Sequence, residues 1–390
     1  MKFYVNLRME KLKIGFDAKR AVRNFTGLGN YSRLVVDVLS REYPANDYRL
    51  YTPSVRQNDR LKPLVDRDNV TLVTPDTAAG RTFPALWRVY GGLTSQISRD
   101  GIGLFHGLSN ELPLDIPRAG IPTVVTIHDL IFRRLPACYK PVDRAIYDYK
   151  FRHACENATR VIAISERTRD DIVELYGTDP GKIDIVYQGC DPQFAMPVDD
   201  ATRNRVRAKY NLPERYIIAV GTVEHRKNQL QAVRALRHFP ADVSLVIVGG
   251  HNKDYVRDVA REVAALGLTD RVRLLKGVPF TDLPALYSMA TVASYTSRYE
   301  GFGIPVIEAI SAGVPVIAAT GSCLEEAGGP GAVYVSPDSV DAYVDAARAL
   351  LDNPAMRHDL VTRGREYIAR FSPENFSQGL MGTYTKAISH

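Results

Sequence analysis

Two glutamates with seven residues between them, Glu300 and Glu308, are the side chains best suited to chemistry on a ligand. The β-branched, apolar residues 291–295 predict a buried strand before them. Pro305 favours the first turn of a helix, where its missing N–H removes no hydrogen bond. Glu300 is therefore expected in a strand-to-helix loop and Glu308 in the helix. The N–H groups at such a helix start can hold an anion, and carboxylates that accept hydrogen bonds from nearby hydroxyl groups suit a sugar nucleotide.

A second pattern follows the predicted strand at residues 216–221. Gly221 and Thr222 lead into two adjacent cations, Arg226 and Lys227. Two cations near a helix start can clamp a diphosphate, the arginine as a planar fork and the lysine as a point charge. A solvated Arg–Lys pair is the alternative, and the position at the carboxyl end of a strand favours the clamp.

His128 and Asp129 end the predicted strand at residues 123–128. Carboxyl ends of parallel strands are where ligands bind in such sheets. His128 could donate to a sugar hydroxyl or shuttle a proton, and Asp129 could fix its tautomer or bind an acceptor. A structural role for His128 is equally open, and His106, which also ends a strand, is a weaker candidate.

The segment containing Gly27, Gly29 and Asn30 lies between the first predicted strand and the first long helix. It is a poor dinucleotide fingerprint, because Ser32 occupies the third glycine position and the strand ends too far upstream for the tight turn. Either it is a flexible loop that starts a helix, or its bare backbone approaches a diphosphate or an acceptor.

Several other polar groups are assigned no chemistry. Asp66 and Asp68 precede a strand instead of following one, so no metal site is expected. Glu325 and Glu326 are read as surface charges. The four scattered cysteines form no CxxC pair and predict reduced thiols.

The chain of 390 residues carries a net charge of +6, most of it in the first half. Residues 1–195 hold 28 Lys and Arg against 23 Asp and Glu, and residues 196–390 hold 22 against 21. A solvated surface explains this most simply, and contact with a phospholipid or an anionic acceptor is the alternative. The sequence has no basic run interleaved with aromatic residues, so nucleic-acid binding is not expected. No signal peptide and no spanning segment are recognised, which predicts a cytoplasmic protein.

Strand and helix patterns alternate in two series, so the fold class is α/β with two Rossmann-like, doubly wound parallel sheets. A break in both periodicities near residues 190–212 separates an N-terminal domain, 1–195, from a C-terminal domain, 196–372. The final helix, within residues 373–390, is expected to return to the first domain. Two such domains would place the carboxyl ends of their strands around a central cleft.

Together these motifs resemble the retaining glycosyltransferases of family 4, which have the GT-B fold. The most specific part is residues 300–318, "EGFGIPVIEAISAGVPVIA", which is similar to the family's E-x7-E signature. "GTVEHRKN" at residues 221–228 looks like its diphosphate loop. "VVTIHDLIF", "GLGNY" and "AISERTRDDIVELYG" resemble the N-terminal domain.

The resemblance implies a role for each residue. Glu300 would contact the donor sugar, and Glu308 the ribose hydroxyls. The clamp of Arg226 and Lys227 would stabilise the leaving diphosphate, and His128 would lie near sugar and acceptor. The backbone of Phe302, Gly303 and Ile304 would hold sugar and phosphate. Thr222 departs from the pattern, since many members carry an arginine there.

The implied reaction is metal-independent, cofactor-free, retaining transfer of a hexose, of mannosyl or glucosyl type, by front-face attack. The donor would be a UDP- or GDP-sugar and the acceptor a glycan or lipid-linked molecule, with peripheral contact at the inner membrane face an open alternative. Gly27, Gly29, Asn30 and Asp129 would serve the acceptor or diphosphate. A sugar-nucleotide epimerase and a non-catalytic nucleotide-sugar-binding module are the rival functions, and a nicotinamide dehydrogenase fits least.

Overall fold

The computed structural model describes residues 11–56, 58–250 and 253–389, and the chain divides into two compact units. The first unit combines Met1–Gln188 with Pro373–His390, and the second is Gly189–Ser372. The sequence pattern predicts the division between residues 195 and 196. The start of the chain, where no signal peptide is expected, lies outside the described residues. No helix in the described part is both long enough and apolar enough to cross a membrane.

The first unit is built on a parallel sheet of seven strands within the described residues. These strands are β1 (Lys13–Asp17), β2 (Asp47–Tyr51), β3 (Val70–Val73), β4 (Leu104–Gly107), β5 (Thr123–Ile127), β6 (Arg160–Ala163) and β7 (Ile183–Ile185). Their order across the sheet is β3-β2-β1-β4-β5-β6-β7. The central strands β4, β5 and β6 are buried along their whole length, which explains their continuous apolar runs.

Helices cover this sheet between successive strands. They are α1 (Lys19–Arg23), α2 (Gly27–Glu42), α3 (Lys62–Val65), α4 (Ala78–Thr82), α5 (Pro84–Val89), α6 (Gly92–Arg99), α7 (Ile131–Arg134), α8 (Pro141–Asn157) and α9 (Glu166–Tyr176). Short 3-10 turns lie at Ile116–Ala119, Pro136–Cys138 and Pro180–Lys182. The sequence predicts a loop at Gly27–Asn30, but α2 already begins at Gly27, so the glycines form its first turn.

The C-terminal helix, Pro373–Ile388, belongs to the first unit and packs against α2, β5 and β6. Its Tyr384 hydroxyl lies 2.7 Å from His106 Nδ1, and His106 Nε2 lies 2.8 Å from Thr126 Oγ1. Thr126 in turn contacts the Tyr31 hydroxyl at 3.0 Å. Burial lowers the pKa of His106 to about 3. His106 is therefore a neutral core histidine that links this helix to the sheet.

The second unit holds a parallel sheet of six strands in the described residues. They are β8 (Arg215–Val220), β9 (Val243–Val248), β10 (Val272–Leu275), β11 (Val292–Tyr295), β12 (Val316–Ala319) and β13 (Ala332–Val335). Their order is β10-β9-β8-β11-β12-β13. Both units are thus doubly wound parallel sheets, and the predicted fold class is confirmed for each.

The helices of the second unit alternate with these strands. They are α10 (Asp200–Tyr210), α11 (Gln229–Leu236), α12 (Lys253–Ala265), α13 (Leu283–Ser288), α14 (Ile304–Ser311), α15 (Leu324–Gly328), α16 (Val340–Asp352) and α17 (Pro354–Ile368). Short 3-10 turns lie at Pro192–Ala195, His225–Lys227, Phe280–Asp282, Gly329–Gly331 and Ala369–Phe371.

The strand order reverses direction between β1 and β4 in the first sheet and between β8 and β11 in the second. Loops that leave the carboxyl ends of two such strands diverge to opposite faces and leave a crevice between them. In the second unit these loops are residues 221–228 and 296–303, which are the two motifs singled out in the sequence. The topology therefore brings together motifs that are some seventy residues apart in the chain.

Candidate active site

The site of the second unit is centred on one carboxylate held by two cations. Glu300 Oε1 lies 2.8 Å from Arg226 Nη1 and 2.5 Å from Lys227 Nζ. The side chains of Glu300, Lys227 and Arg226 are only 10%, 12% and 14% exposed. Since β8 and β11 are neighbours, the loop after each strand contributes one side of this ion cluster. The structure therefore unites three residues that the sequence predicts as catalytic.

The cluster keeps Glu300 ionised. Burial alone would raise the pKa of Glu300, but the charges of Lys227 and Arg226 outweigh it and lower that pKa to about 2. Burial lowers the pKa of Lys227, partly offset by the attraction of Glu300. For Arg226 burial acts in the same downward direction, yet Glu300 and Glu224 raise its pKa above the ordinary value. Removing one partner would leave a buried charge uncompensated, which costs about 3–5 kcal/mol.

Further contacts orient the two cations. Arg226 donates through Nη1 to the Tyr299 carbonyl at 2.7 Å and through Nη2 to Glu224 Oε1 at 2.8 Å. Lys227 Nζ donates to the Tyr295 hydroxyl at 2.5 Å and lies 4.8 Å from the centre of its ring. The cations are thus fixed before any ligand arrives, which is the preorganisation that charge stabilisation requires.

The loop from Glu300 to Gly303 has a backbone conformation that favours glycine at its last residue. Gly303 has φ +125°, and a Cβ there would lie 2.8 Å from a Leu324 methyl carbon. Cys323 Sγ donates towards the carbonyls of Glu300 at 3.1 Å and Phe302 at 2.9 Å. α14 begins at Ile304 with Pro305 in its first turn and without a side-chain cap. At this start Pro305 has no N–H, and the Val306 N–H donates to the Gly303 carbonyl at 2.9 Å.

Glu308 lies in α14 and has its own environment. It is buried, and its Oε2 accepts a hydrogen bond from the Tyr287 hydroxyl at 3.2 Å. Burial raises the pKa of Glu308 to about 7, with Tyr287 opposing the shift and Asp191 adding to it. The two glutamates of the motif therefore differ in kind: Glu300 is ionised throughout the physiological range, whereas Glu308 titrates within it.

The loop after β8 starts with a tight backbone contact. Gly221 has φ +144°. Its carbonyl oxygen would lie only 2.0 Å from a Cβ added to Gly249. The Thr222 carbonyl accepts a hydrogen bond from Gln229 Nε2 at 3.0 Å. The short 3-10 turn His225–Lys227 then carries the two cations. Gly221 and Thr222 are therefore placed beside the cluster as the frame of this loop.

In the first unit His128 lies at the carboxyl end of β5, as predicted from the strand pattern. Its Nε2 lies 2.9 Å from the Leu108 carbonyl, which can only accept, so this nitrogen carries the proton and Nδ1 keeps a lone pair. Burial lowers the pKa of His128 to about 4; the Leu108 contact opposes this shift, while Arg20 adds to it. In this tautomer Nδ1 can accept a hydrogen bond from a hydroxyl, whereas the Nε2–H is used by the Leu108 carbonyl and is not available for the donation to a sugar hydroxyl raised by the sequence.

The remaining predicted residues of the first unit are held by local contacts. A Cβ on Gly29 would lie 1.9 Å from the Asn24 carbonyl, whereas Gly27 has open space around it. Asn30 Oδ1 accepts from Arg33 at 2.6 Å and from Arg60 at 3.3 Å. Asp129 Oδ1 accepts from the backbone N–H of Ile131 at 3.1 Å, which shapes the turn into α7. Gly29 is thus fixed by packing, and Gly27 presents bare backbone.

Sequence reasoning missed a charged network at the reversal point of the first sheet. Asp17 ends β1 and pairs with Arg88 at 2.5 Å, and Arg88 pairs with Glu111 at 2.7 Å. Lys150 completes the network at 3.3 Å from Glu111. An acidic residue closing the apolar run of the first strand was the available signal, but its partners come from distant segments. Lys19, beside Asp17, has a pKa lowered by burial and by Arg88.

The structure also locates Asp66 and Asp68, at which no metal site is expected. They lie ahead of β3, and Arg67 between them pairs with Asp37 at 2.5 Å. Among the described residues no group of three or more His, Cys, Asp or Glu side chains could hold a metal ion.

Comparisons with known proteins cover both units. Residues 33–194 match the family described as Glycosyltransferase Family 4, and residues 200–367 match Glycosyl transferases group 1. O-antigen chain mannosyltransferase B of Escherichia coli is 30% identical over 287 residues, which span 72% of this chain and 74% of that protein. The MMP alpha-(1->4)-mannosyltransferase of Mycolicibacterium hassiacum is 27% identical over 71% of this chain and 68% of its own.

Solved structures share the architecture. Anabaena Alr3699/HepE in complex with UDP superimposes with a TM-score of 0.73 at 18% identity, covering 96% of this chain and 99% of that one. Sucrose-phosphate synthase from Thermosynechococcus elongatus superimposes with a TM-score of 0.76 at 20% identity, covering 97% and 100%. At such identities the likeness establishes the fold.

Proposed function

We propose, since this chain belongs to glycosyltransferase family 4 and has the GT-B fold, that this glycosyltransferase moves a mannose- or glucose-type hexose from a UDP- or GDP-sugar to a glycan or lipid-linked acceptor. The transfer would retain anomeric configuration and require neither metal nor cofactor. The observation that carries the proposal is the buried cluster of Glu300, Arg226 and Lys227 beside the start of α14.

The cluster suits the charges of this reaction. Breaking the glycosidic bond places negative charge on the departing diphosphate. Arg226 and Lys227, with the N–H groups at the start of α14, supply positive charge that is already oriented. Front-face attack lets the leaving phosphate oxygen take the acceptor's proton, so no protein base is required. A neutral His128 with a free Nδ1 lone pair would orient a hydroxyl in that scheme.

The two glutamates would hold the rest of the donor. Glu300 is ionised and would accept hydrogen bonds from hydroxyls of the sugar. Glu308 would accept from the ribose hydroxyls, each charged hydrogen bond contributing on the order of 1.5–3 kcal/mol. The names of the relatives favour a mannosyl donor, and the UDP complexes of a structural neighbour favour uridine.

A thermal-shift screen of nucleoside diphosphates and their sugars tests the donor. A ligand at about one hundred times its dissociation constant stabilises a protein by about 2.7 kcal/mol. We expect either the UDP or the GDP series to raise the melting temperature. Lys227→Met should remove that shift, and Lys276→Met, an exposed change after β10 in the same unit, should keep it. No shift with any nucleotide would contradict the proposal, and sugar turnover without an acceptor would favour an epimerase.

A further inference from the structure

The turn that follows β4 holds an asparagine in a left-handed backbone conformation. Asn110 has φ +64° and is only 7% exposed. Among the described residues, only two other non-glycine residues have a positive φ, Asn211 and Asn228. Both end a helical turn, where this conformation is common. Asn110 ends no helix, so its conformation has another reason.

That reason is the end of β5, which Asn110 contacts twice. Its backbone N–H donates to the Thr126 carbonyl at 2.9 Å, and its Oδ1 accepts from the backbone N–H of His128 at 2.6 Å. The left-handed conformation thus lets the backbone and the side chain of one residue bond to the same strand end. The main chain of His128 is therefore fixed by the Asn110 side chain.

The same turn fixes the imidazole ring of His128. The Leu108 carbonyl, two residues before Asn110, accepts from His128 Nε2 at 2.9 Å. The Tyr31 ring also packs against the imidazole at nearly a right angle, with the two ring centres 4.6 Å apart. Residues 108–110 thus hold both the backbone and the ring of His128, and they leave Nδ1 as the acceptor.

The turn itself is anchored at Glu111, the residue after Asn110. A Cβ on Gly107 would lie 2.2 Å from the Glu111 carbonyl oxygen, so the turn closes tightly on itself. The Glu111 carboxylate pairs with Arg88 of α5 at 2.7 Å and with Lys150 of α8 at 3.3 Å. Burial opposes the ionisation of Glu111, but Arg88 and Lys150 outweigh it and lower the pKa of Glu111. The charged network at the reversal point of the first sheet therefore ties this turn to two helices.

We propose that Asn110 is a positioning residue, which holds His128 so that Nδ1 can orient the acceptor hydroxyl. The inference rests on the proposed function, which gives His128 that role. Without the Asn110 side chain, the buried N–H of His128 loses its acceptor, and this loss loosens the turn. The ring can then leave the Leu108 carbonyl and adopt the other tautomer, in which Nδ1 carries the proton and no longer accepts.

Nitrogen-15 NMR of the histidine rings in the full-length protein reports the tautomer directly, and His128→Gln assigns the signals. Asn110→Gly removes the side chain but keeps a residue that adopts φ +64° without strain. We expect the Nε2–H form of His128 in the original protein and a mixture of both tautomers in Asn110→Gly. Asn110→Asp retains an oxygen at this position and tolerates the same φ, so it should keep the Nε2–H form. Asn211→Gly makes the matched change at the end of α10 and should leave the His128 signals unaltered.

Transfer kinetics supply a second readout for the same variants. Asn110→Gly should lower kcat/KM for the acceptor by about tenfold or more, because a small displacement of an orienting group is costly in catalysis. Asn110→Asp and Asn211→Gly should stay close to the original protein.

The inference is overturned if Asn110→Gly keeps the pure Nε2–H form of His128, or if Asn110→Asp loses it; the aspartate variant decides the point should the glycine variant not fold. A fall in melting temperature without a change of tautomer would make Asn110 a residue of the fold only. A changed tautomer with unchanged transfer would also overturn it, because His128 would then not serve the reaction. If the original protein transfers no sugar while Asn110→Gly changes the tautomer, the proposed function fails and the positioning of His128 by Asn110 stands.

Discussion

Glu308 is the residue whose ionisation should control donor binding. Its pKa of about 7 leaves it partly protonated near neutrality, and the charged carboxylate is the stronger acceptor for ribose hydroxyls because both of its oxygens accept. Donor affinity should therefore rise as the pH increases from about 6 to 8. Glu308→Gln should bind weakly and without this dependence. Calorimetric titration across that pH range measures both, and an unchanged slope in the variant would exclude Glu308.

Ionisation of Glu308 should also lower the free energy of unfolding, so stability should fall over the pH range in which donor affinity rises. The folded state holds the Glu308 proton up to about pH 7, compared with the ordinary value of 4.5. Protonated Glu308 thus favours folding fully below pH 4.5, and this stability is lost as the pH rises through about 7. The difference amounts to about 3 kcal/mol. Relative to the original protein, Glu308→Gln should gain melting temperature as the pH rises from 5 to 8.

Cys323 is predicted to position the Glu300 loop through its thiol. Cys323→Ala removes the donor to the two loop carbonyls and should raise the donor KM several-fold, whereas Cys323→Ser keeps a donor and should stay within about twofold. Cys155→Ala is the matched control, because Cys155 is also buried but lies in the first unit. If all three variants lose melting temperature and none changes KM, Cys323 is only a packing residue.

The sequence identified Glu300, Arg226 and Lys227 because each follows a strand, and strand ends share an edge of a sheet. It could not show that Glu300 pairs with both cations, since pairing depends on side-chain geometry across seventy residues. The tautomer of His128 could likewise not be predicted from the sequence, because it is set by the Leu108 carbonyl. The chemistry of each residue was thus predictable only in outline.

Among the loops, the contact between Gly249 and Gly221 can be tested by comparing two alanine substitutions. Gly249→Ala would place a methyl group 2.0 Å from the Gly221 carbonyl and displace the loop that carries Arg226 and Lys227. Gly250→Ala adds the same group one residue later, into open space. We expect the first variant to lose most transfer activity and the second to keep it. Equal activity in the two variants would show that this loop tolerates displacement.

Element bounds followed the sequence where local signals were strong. α9 (Glu166–Tyr176) has a clear start and stop in the sequence, because the Ser165 hydroxyl accepts from the Thr168 N–H and Gly177 adopts φ +67° at its end. At α2 the sequence placed the helix after the segment of Gly27, Gly29 and Asn30, whereas it begins at Gly27. There Gly27 and Gly29 suggest a loop by composition, and only packing against Asn24 shows that they form the first turn.

For the whole molecule, alternating strand and helix patterns sufficed to predict two doubly wound units. The order of the strands was not available from those patterns, and it is the order that creates a reversal point in each sheet. Asp17, Arg88 and Glu111 meet at the reversal point of the first sheet, which explains why sequence reasoning missed them. Tertiary topology, not local propensity, therefore assembles both charged clusters.

Binding of a nucleoside diphosphate compared with its monophosphate tests the role of the Glu300 cluster most directly. The original protein and Lys276→Met should prefer the diphosphate, and Lys227→Met should lose that preference at least tenfold while Lys227→Arg keeps part of it. Melting curves would confirm that each variant is folded at the temperature of measurement. Glu300→Gln should still bind the diphosphate but transfer no sugar. A Lys227→Met variant that is folded and retains the full preference for diphosphate would contradict the assignment of the site.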